Sequence, residues 1–64
     1  MDNEAILSMD PFILLSMLNM KLRDFYSSLN QLCDDLDVDE AVIYTKLKSI
    51  GYSYNAESNR FIAD

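Results

Sequence analysis

The sequence contains no histidine and no tryptophan, and it has one cysteine, one glycine and one proline among 64 residues. A lone cysteine cannot form a disulfide within the chain, and without histidine the usual zinc sites and catalytic triads lose their commonest residue. The scarcity of glycine and proline, together with 50% hydrophobic residues, excludes a disordered linker. We therefore expect one small folded domain that is not an enzyme and binds no cofactor.

Basic residues are also scarce. The chain has five Lys and Arg and eleven Asp and Glu, which gives a formal net charge of −6. Nucleic-acid-binding proteins and proteins of anionic membrane surfaces carry clustered Lys and Arg, because these side chains neutralise phosphates. The basic residues of this chain are scattered, so neither nucleic acid nor a membrane is the expected partner.

Long hydrophobic runs are absent as well. The longest apolar stretch, residues 12–15, ends at Ser16, whereas a helix that spans a bilayer needs about 20 apolar residues. Residues 1–4 are acidic where a secretory signal carries positive charge. These features predict a cytoplasmic protein.

The first predicted helix begins at Asp10-Pro11, because Asp is a strong N-cap and Pro suits the first helical position. Its helical spacing continues to about Asp24 or Phe25. The side chains expected to face the core are Leu14, Leu15, Leu18, Leu22 and Phe25. Residues 1–9 carry no cap signal, so they are predicted to be an arm that precedes a domain of residues 10–64.

Two shorter helices follow. Ser28 and Gln31 have the spacing of a capping box, which starts the second helix. The third covers about residues 39–50, and Gly51 stands where a left-handed C-terminal cap is expected. The turn between the two helices needs a left-handed residue, and Asp37 is expected to supply it.

The pattern alternates after Gly51, where Tyr52 and Tyr54 are followed by a polar loop and then Phe61. This alternation predicts a β-hairpin that packs its aromatic rings on the helices. The predicted fold is therefore mainly α, a small three-helix, helix-turn-helix-like domain with a C-terminal hairpin. This order of elements is that of a minimal winged helix.

Three segments carry a resemblance to a known family. They are DPFILLSMLNMKLRD from Asp10, FYSSLNQLCDDLDVD after it, and GYSYNAESNRF from Gly51. Together they resemble a family of short bacterial proteins classed as a domain of unknown function, family 4250. The resemblance implies a free-standing small bacterial protein, and it carries no activity, ligand or catalytic residue.

Two features that could carry chemistry have simpler interpretations. The alternating acids Asp35, Asp37 and Asp39 are similar to the start of a calcium loop, but that loop needs Gly next and Glu at the twelfth position, where Glu40 and Lys46 stand. An acidic turn that caps a helix is therefore favoured. Cys33 lies on the apolar stripe of the second helix beside acids, so burial is favoured over a reactive thiolate.

The polar residues Asn19, Lys21, Arg23 and Asp24 interrupt an otherwise apolar helix. They could bind a carboxylate or phosphate of a partner. The favoured interpretation is that Lys21 and Arg23 pair with acids of the turn or of the second helix and that Asn19 bonds to the local backbone. Tyr44, Tyr52 and Tyr54 could stack on bases, but packing of the hairpin is favoured.

The main functional hypothesis is a protein-interaction module that self-associates. Ile13, Met17 and Met20 form a second apolar stripe on the first helix, about a third of a turn from the core-facing residues. Either the N-terminal arm or a second copy of the chain must cover this stripe. The two-fold homodimer, the commonest symmetric assembly, is favoured because burial of each such side chain contributes about 1.5–3 kcal/mol, a large fraction of the stability of so small a domain.

The alternative hypothesis is a winged-helix-like transcriptional regulator that uses its third helix to read DNA. Tyr44, Thr45 and Lys48 would then contact nucleic acid. The two acids at the start of that helix, Asp39 and Glu40, would meet phosphates or base edges, which disfavours this alternative.

Overall fold

The computed structural model describes residues 2–64. Four helices are followed by an antiparallel two-stranded sheet, so the fold is mainly helical with a C-terminal hairpin. The elements are α1 (Asn3–Ser8), α2 (Pro11–Asp24), α3 (Leu29–Leu36), α4 (Glu40–Lys48), β1 (Tyr52–Asn55) and β2 (Arg60–Ala63). None of these helices is long and apolar enough to cross a membrane.

The longest helix, α2, has the predicted limits. The Asp10 carboxylate accepts hydrogen bonds from the N–H groups of Phe12 and Ile13 at 2.8 and 3.3 Å, and Pro11 occupies the first turn. The cap thus satisfies two of the N–H groups that a helix leaves without internal partners. Leu14, Leu18 and Leu22 are buried along one face, as their spacing predicts.

Phe25 does not join that face, which corrects the expected core. Its side chain is 70% exposed. The helix ends at Asp24, and Phe25 adopts φ −127° and ψ −29°, which lies outside the helical range. The core-facing row therefore ends at Leu22, one turn earlier than the helical periodicity indicates.

Both ends of α3 lie where the sequence signals predict them. Ser28 accepts from the N–H of Gln31 at 3.1 Å and caps α3. The Gln31 side chain reaches back to the N–H of Ser27 rather than to that of Ser28, so the reciprocal bond of the capping box is displaced by one residue. Asp37 is left-handed at φ 57° and ψ 48°, as expected.

The end of α4 leads directly into the hairpin. The N–H groups of Ile50 and Gly51 bond to carbonyls three residues earlier, so the chain tightens after Lys48. Gly51 is left-handed at φ 79°, as its position predicts, and it redirects the chain into β1. The hairpin is confirmed, with Tyr54 opposite Phe61 in the register.

The N-terminal segment forms a fourth helix where three helices were expected. Asp2 caps α1 by accepting from the N–H of Ala5 at 2.8 Å. Ile6 is fully buried in the core. A helix of six residues is unstable alone, so α1 depends on its packing against α4, which local sequence signals do not report.

Two polar contacts also hold α1 to the rest of the chain. The Lys46 Nζ donates to the carbonyl of Leu7 at 2.7 Å, and the N–H of Asp39 donates to the Asn3 side chain at 2.8 Å. Both partners of α1 belong to α4 or to its N-cap. The segment predicted to be an arm therefore supplies part of the core.

We predict that Ile6→Ala lowers the free energy of unfolding by about 2–5 kcal/mol, because the substitution leaves a cavity in the core. Leu7→Ala is the matched control in the same helix, since Leu7 is 56% exposed and should cost less than about 0.5 kcal/mol. Urea unfolding followed by circular dichroism measures both values. Equal costs for the two variants would show that α1 does not pack as described.

Candidate functional site

The apolar stripe predicted on α2, Ile13, Met17 and Met20, is partly exposed to solvent. Ile13 is 62% exposed and Met20 is 39% exposed. Met17 is half-buried and packs against the core. The two ends of the stripe are therefore exposed to solvent, and its middle residue packs against the core.

The N-terminal segment does not cover the exposed ends of this stripe. α1 lies against α4, where Ile6 enters the core, while Ile13 and Met20 stay exposed. The sequence offered the N-terminal arm or a second copy of the chain to cover the stripe. The N-terminal arm does not cover these two residues.

A different set of side chains fixes the hairpin to α2. The Asn19 Nδ2 donates to the carbonyl of Phe61 at 3.1 Å, and the Asn19 Oδ1 accepts from the N–H of the same residue at 2.8 Å. Both backbone groups of Phe61 thus point away from β1, as every second residue of an antiparallel strand does. The Asn19 amide occupies the place that a third strand would take.

A second asparagine joins three elements. Asn59 is left-handed at φ 52°, and its Nδ2 donates to the carbonyls of Leu22 and Tyr26 at 3.0 and 2.9 Å. Its Oδ1 accepts from the Tyr54 hydroxyl at 2.6 Å, and that hydroxyl accepts from the N–H of Leu29 at 3.2 Å. The network therefore satisfies the end of α2 and the start of α3.

These contacts show why Asn19 interrupts the apolar helix. The expectation that it bonds to the local backbone is wrong, because its partner is 42 residues away. Lys21 forms no ion pair within residues 2–64. Arg23 pairs with its neighbour Asp24 through two hydrogen bonds of 2.9 and 3.0 Å, and not with an acid of the turn or of α3 as expected. Both of these side chains are exposed, so the pair contributes little to stability.

A cleft of about 750 Å³ lies between α2 and the hairpin. Its apolar lining is Leu15, Met20, Leu22 and Tyr52, and its polar lining is Ser16, Asn19, Arg23, Ser58, Asn59 and Arg60. The cleft therefore contains both arginines of the chain. None of the described residues that line it is acidic.

The residues expected to touch nucleic acid under the alternative hypothesis lie on α4 and are partly engaged. The Lys48 Nζ bonds to Asp64 and to Ser53, each at 2.9 Å. Tyr44 places its ring edge against Phe61, with 6.2 Å between the ring centroids. Thr45 is exposed. The one cation of this group is thus neutralised by a carboxylate of the same chain.

The acidic turn surrounds the cysteine. Asp34, Asp37, Asp39 and Glu40 line a shallow depression beside Cys33, and residues 2–64 hold no group of side chains arranged to bind a metal ion. Cys33 is 5% exposed. Burial, and then the charges of Glu40 and Asp39, raise the pKa of its thiol to about 11. The thiol is therefore neutral and shielded.

A family model described as a domain of unknown function (DUF4250) matches residues 8–61. The chain belongs to this family. Comparison with curated proteins and with solved structures gives no match. The polar residues that carry the family resemblance in this DUF4250 chain include Asn19 and Asn59, and both hold the hairpin on α2.

Sequence reasoning missed the cleft of this DUF4250 domain and the long-range asparagine bonds beside it. The cleft needs the hairpin to lie beside α2, where the long-range bonds of Asn19 and Asn59 and the burial of Phe61 hold it. An isolated asparagine within an apolar helix is a signal for such a bond, because a buried amide must find partners. No comparable signal brings Arg60 to the same cleft as Arg23.

We predict that Cys33 reacts slowly with a thiol reagent in the native DUF4250 chain. With a pKa of about 11 in place of 9.0, the thiolate fraction at pH 8 is about 100-fold lower than that of an ordinary thiol. Reaction followed at 412 nm with an aromatic disulfide should be at least that much faster in denaturant. Equal rates in both conditions would show that Cys33 is not in the core.

We predict that Asn59→Asp lowers the free energy of unfolding by about 2–4 kcal/mol, because a carboxylate cannot donate to the carbonyls of Leu22 and Tyr26. Asn55→Asp is the charge-matched control in the same hairpin, at the end of β1. The Asn55 side chain only accepts, from the N–H of Ser58 at 3.0 Å, and a carboxylate keeps that bond. Urea unfolding compares the two variants, and similar losses would refute the role given to the Asn59 amide.

Proposed function

We propose that this DUF4250 chain is a protein-interaction module that forms a homodimer through α2. The observation that carries this proposal is the exposure of Ile13 and Met20 on α2, a helix whose four leucines are all buried or half-buried. Phe12 is a third exposed apolar side chain of this helix. Exposed apolar side chains on one helix face are typical of an interface.

The spacing of these residues suits the packing of two helices. Ile13 and Met20 are seven residues apart, so they lie within about 20° of one line along α2 and about 10.5 Å apart. Ser16 lies between them, and its small side chain lets a second helix approach closely. A two-fold axis near Ser16 and Met17 would pair Ile13 of one copy with Met20 of the other.

The expected affinity follows from the size of this surface. Full burial of one such side chain contributes about 1.5–3 kcal/mol, whereas association itself costs about 4–15 kcal/mol. Ile13 and Met20 are 62% and 39% exposed, so together they gain about one full side-chain burial on each copy, or about 3–6 kcal/mol for the dimer. This gain meets only the lower end of that cost. The proposed dimer forms at micromolar concentration, which needs a net association free energy of about −8 kcal/mol. Further α2 side chains must therefore contribute, and Phe12 is 59% exposed on the same helix. Folding of the chain does not depend on this dimer.

We propose that the scaffold is winged-helix-like and serves protein contacts. The order α3, turn, α4 and hairpin supports this assignment, as does the left-handed Asp37 between the two helices. The pairing of Lys48 with Asp64 and the position of Glu40 in the first turn of α4 disfavour contact with phosphates. The buried free thiol of Cys33 is compatible with a reducing cytoplasm.

We predict that Ile13→Asp and Met20→Asp each convert the dimer to a monomer at about 100 μM, because a carboxylate would be desolvated in the interface. Met17→Asp is less informative, since Met17 also packs against the core and its replacement would lower the melting temperature of the monomer itself. Light scattering coupled to size exclusion reports the mass of each variant.

Phe25→Asp is the matched control for this experiment. Phe25 is apolar and more exposed than Ile13, but it lies beyond the end of α2 and outside the stripe. The Phe25→Asp chain should remain dimeric. A monomer for the unaltered chain at about 100 μM, or a dimer that persists in both stripe variants, would overturn the proposed mode of self-association.

A further inference from the structure

We propose that the cleft between α2 and the hairpin binds an acidic peptide segment of another protein, with an apolar side chain between its carboxylates. The proposal concerns a different surface from the Ile13–Met20 stripe, although Ser16 and Met20 border both. It rests on the charge and composition of the cleft and does not depend on the homodimer.

The charge of the cleft is opposite to that of the molecule. The chain has a net charge of −6, yet its two arginines both line this one cavity and none of the described lining residues is acidic. Arg23 is paired with Asp24 outside the lining, so Arg60 supplies the uncompensated positive charge of the cleft. An acidic ligand would be repelled by most of the surface and attracted here. This complementarity selects the cleft as the site for a ligand with carboxylates.

Both arginines have guanidinium N–H donors that no side chain of residues 2–64 uses. Arg60 is exposed and makes no ion pair or side-chain hydrogen bond within residues 2–64. Arg23 uses its Nε and one Nη2 bond for Asp24, which leaves three of the five guanidinium N–H donors. Guanidinium groups match the planar geometry of carboxylates. The Asn59 amide instead gives both N–H groups to backbone carbonyls, and the Asn19 amide keeps one N–H after its bond to the β2 backbone.

The apolar lining of the cleft favours a ligand that carries an apolar group as well as carboxylates. Leu15, Met20 and Tyr52 offer carbon surface beside the arginines, and a free phosphate would leave this surface in water. The α2 wall runs from Leu15 to Arg23, which is about 12 Å or slightly more than two helical turns. A short extended segment with one apolar side chain fits that length and both kinds of surface.

The test is a titration of the ¹⁵N-labelled chain followed by NMR. The probe is a capped peptide Glu-Glu-Leu-Glu-Glu, and the controls are Gln-Gln-Leu-Gln-Gln, Glu-Glu-Gly-Glu-Glu and inorganic phosphate. We expect a Kd of about 0.1–1 mM for the first peptide, with shifts of the Arg23 and Arg60 Nε–H signals and of backbone signals around the cleft. Each control should bind at least fivefold more weakly.

Two charge-matched variants assign the site. Arg60→Gln should raise the Kd about five- to tenfold. Lys21→Gln should change it less than twofold, because Lys21 lies on the other side of α2 from Arg23 and outside the cleft. Both variants lose one positive charge, so a general electrostatic effect would weaken binding equally in the two.

The same titration on the Ile13→Asp chain separates this proposal from the homodimer, because Ile13 does not line the cleft. Binding with the expected shifts supports the proposal whether the unaltered chain is a dimer or a monomer. Shifts confined to other surfaces, equal losses in the two charge variants, or equal binding of phosphate or of either control peptide would overturn it.

Discussion

The fold depends on side-chain amides that join the hairpin to α2. A two-stranded hairpin is at best marginally stable in water, and this one follows four helices that would otherwise expose an apolar face. Asn19 holds the middle of β2, and Asn59 holds the loop end of the hairpin at the close of α2. Phe61 is thereby fixed in the core. The cleft, its arginines and the packing of α4 all follow from this attachment.

Much of the secondary structure could be predicted because its signals are local. Asp10 and Ser28 cap the helices that follow them, and Asp37 and Gly51 adopt the left-handed conformations that their positions require. These residues act within four positions along the chain. The family assignment follows from the same segments, since the model match covers nearly all of them.

The rest could not be predicted because it depends on contacts between distant residues. α1 is too short to be stable alone, and Ile6 is buried only because α4 lies beside it. Phe25 keeps the helical spacing of the core residues but falls after the end of α2. The cleft joins residues from the middle of the chain to residues near its end. Periodicity, which describes one element at a time, contains no information on these relations.

The position of the Asn19 amide also bears on aggregation. An exposed strand edge is a template for strands of other molecules, and Asn19 occupies both backbone groups of Phe61 at the centre of the β2 edge. A foreign strand must displace this amide before it can pair there. During folding, a hairpin that forms before α2 has no such protection, so the order in which α2 and the hairpin form determines how long the chain is exposed to intermolecular pairing.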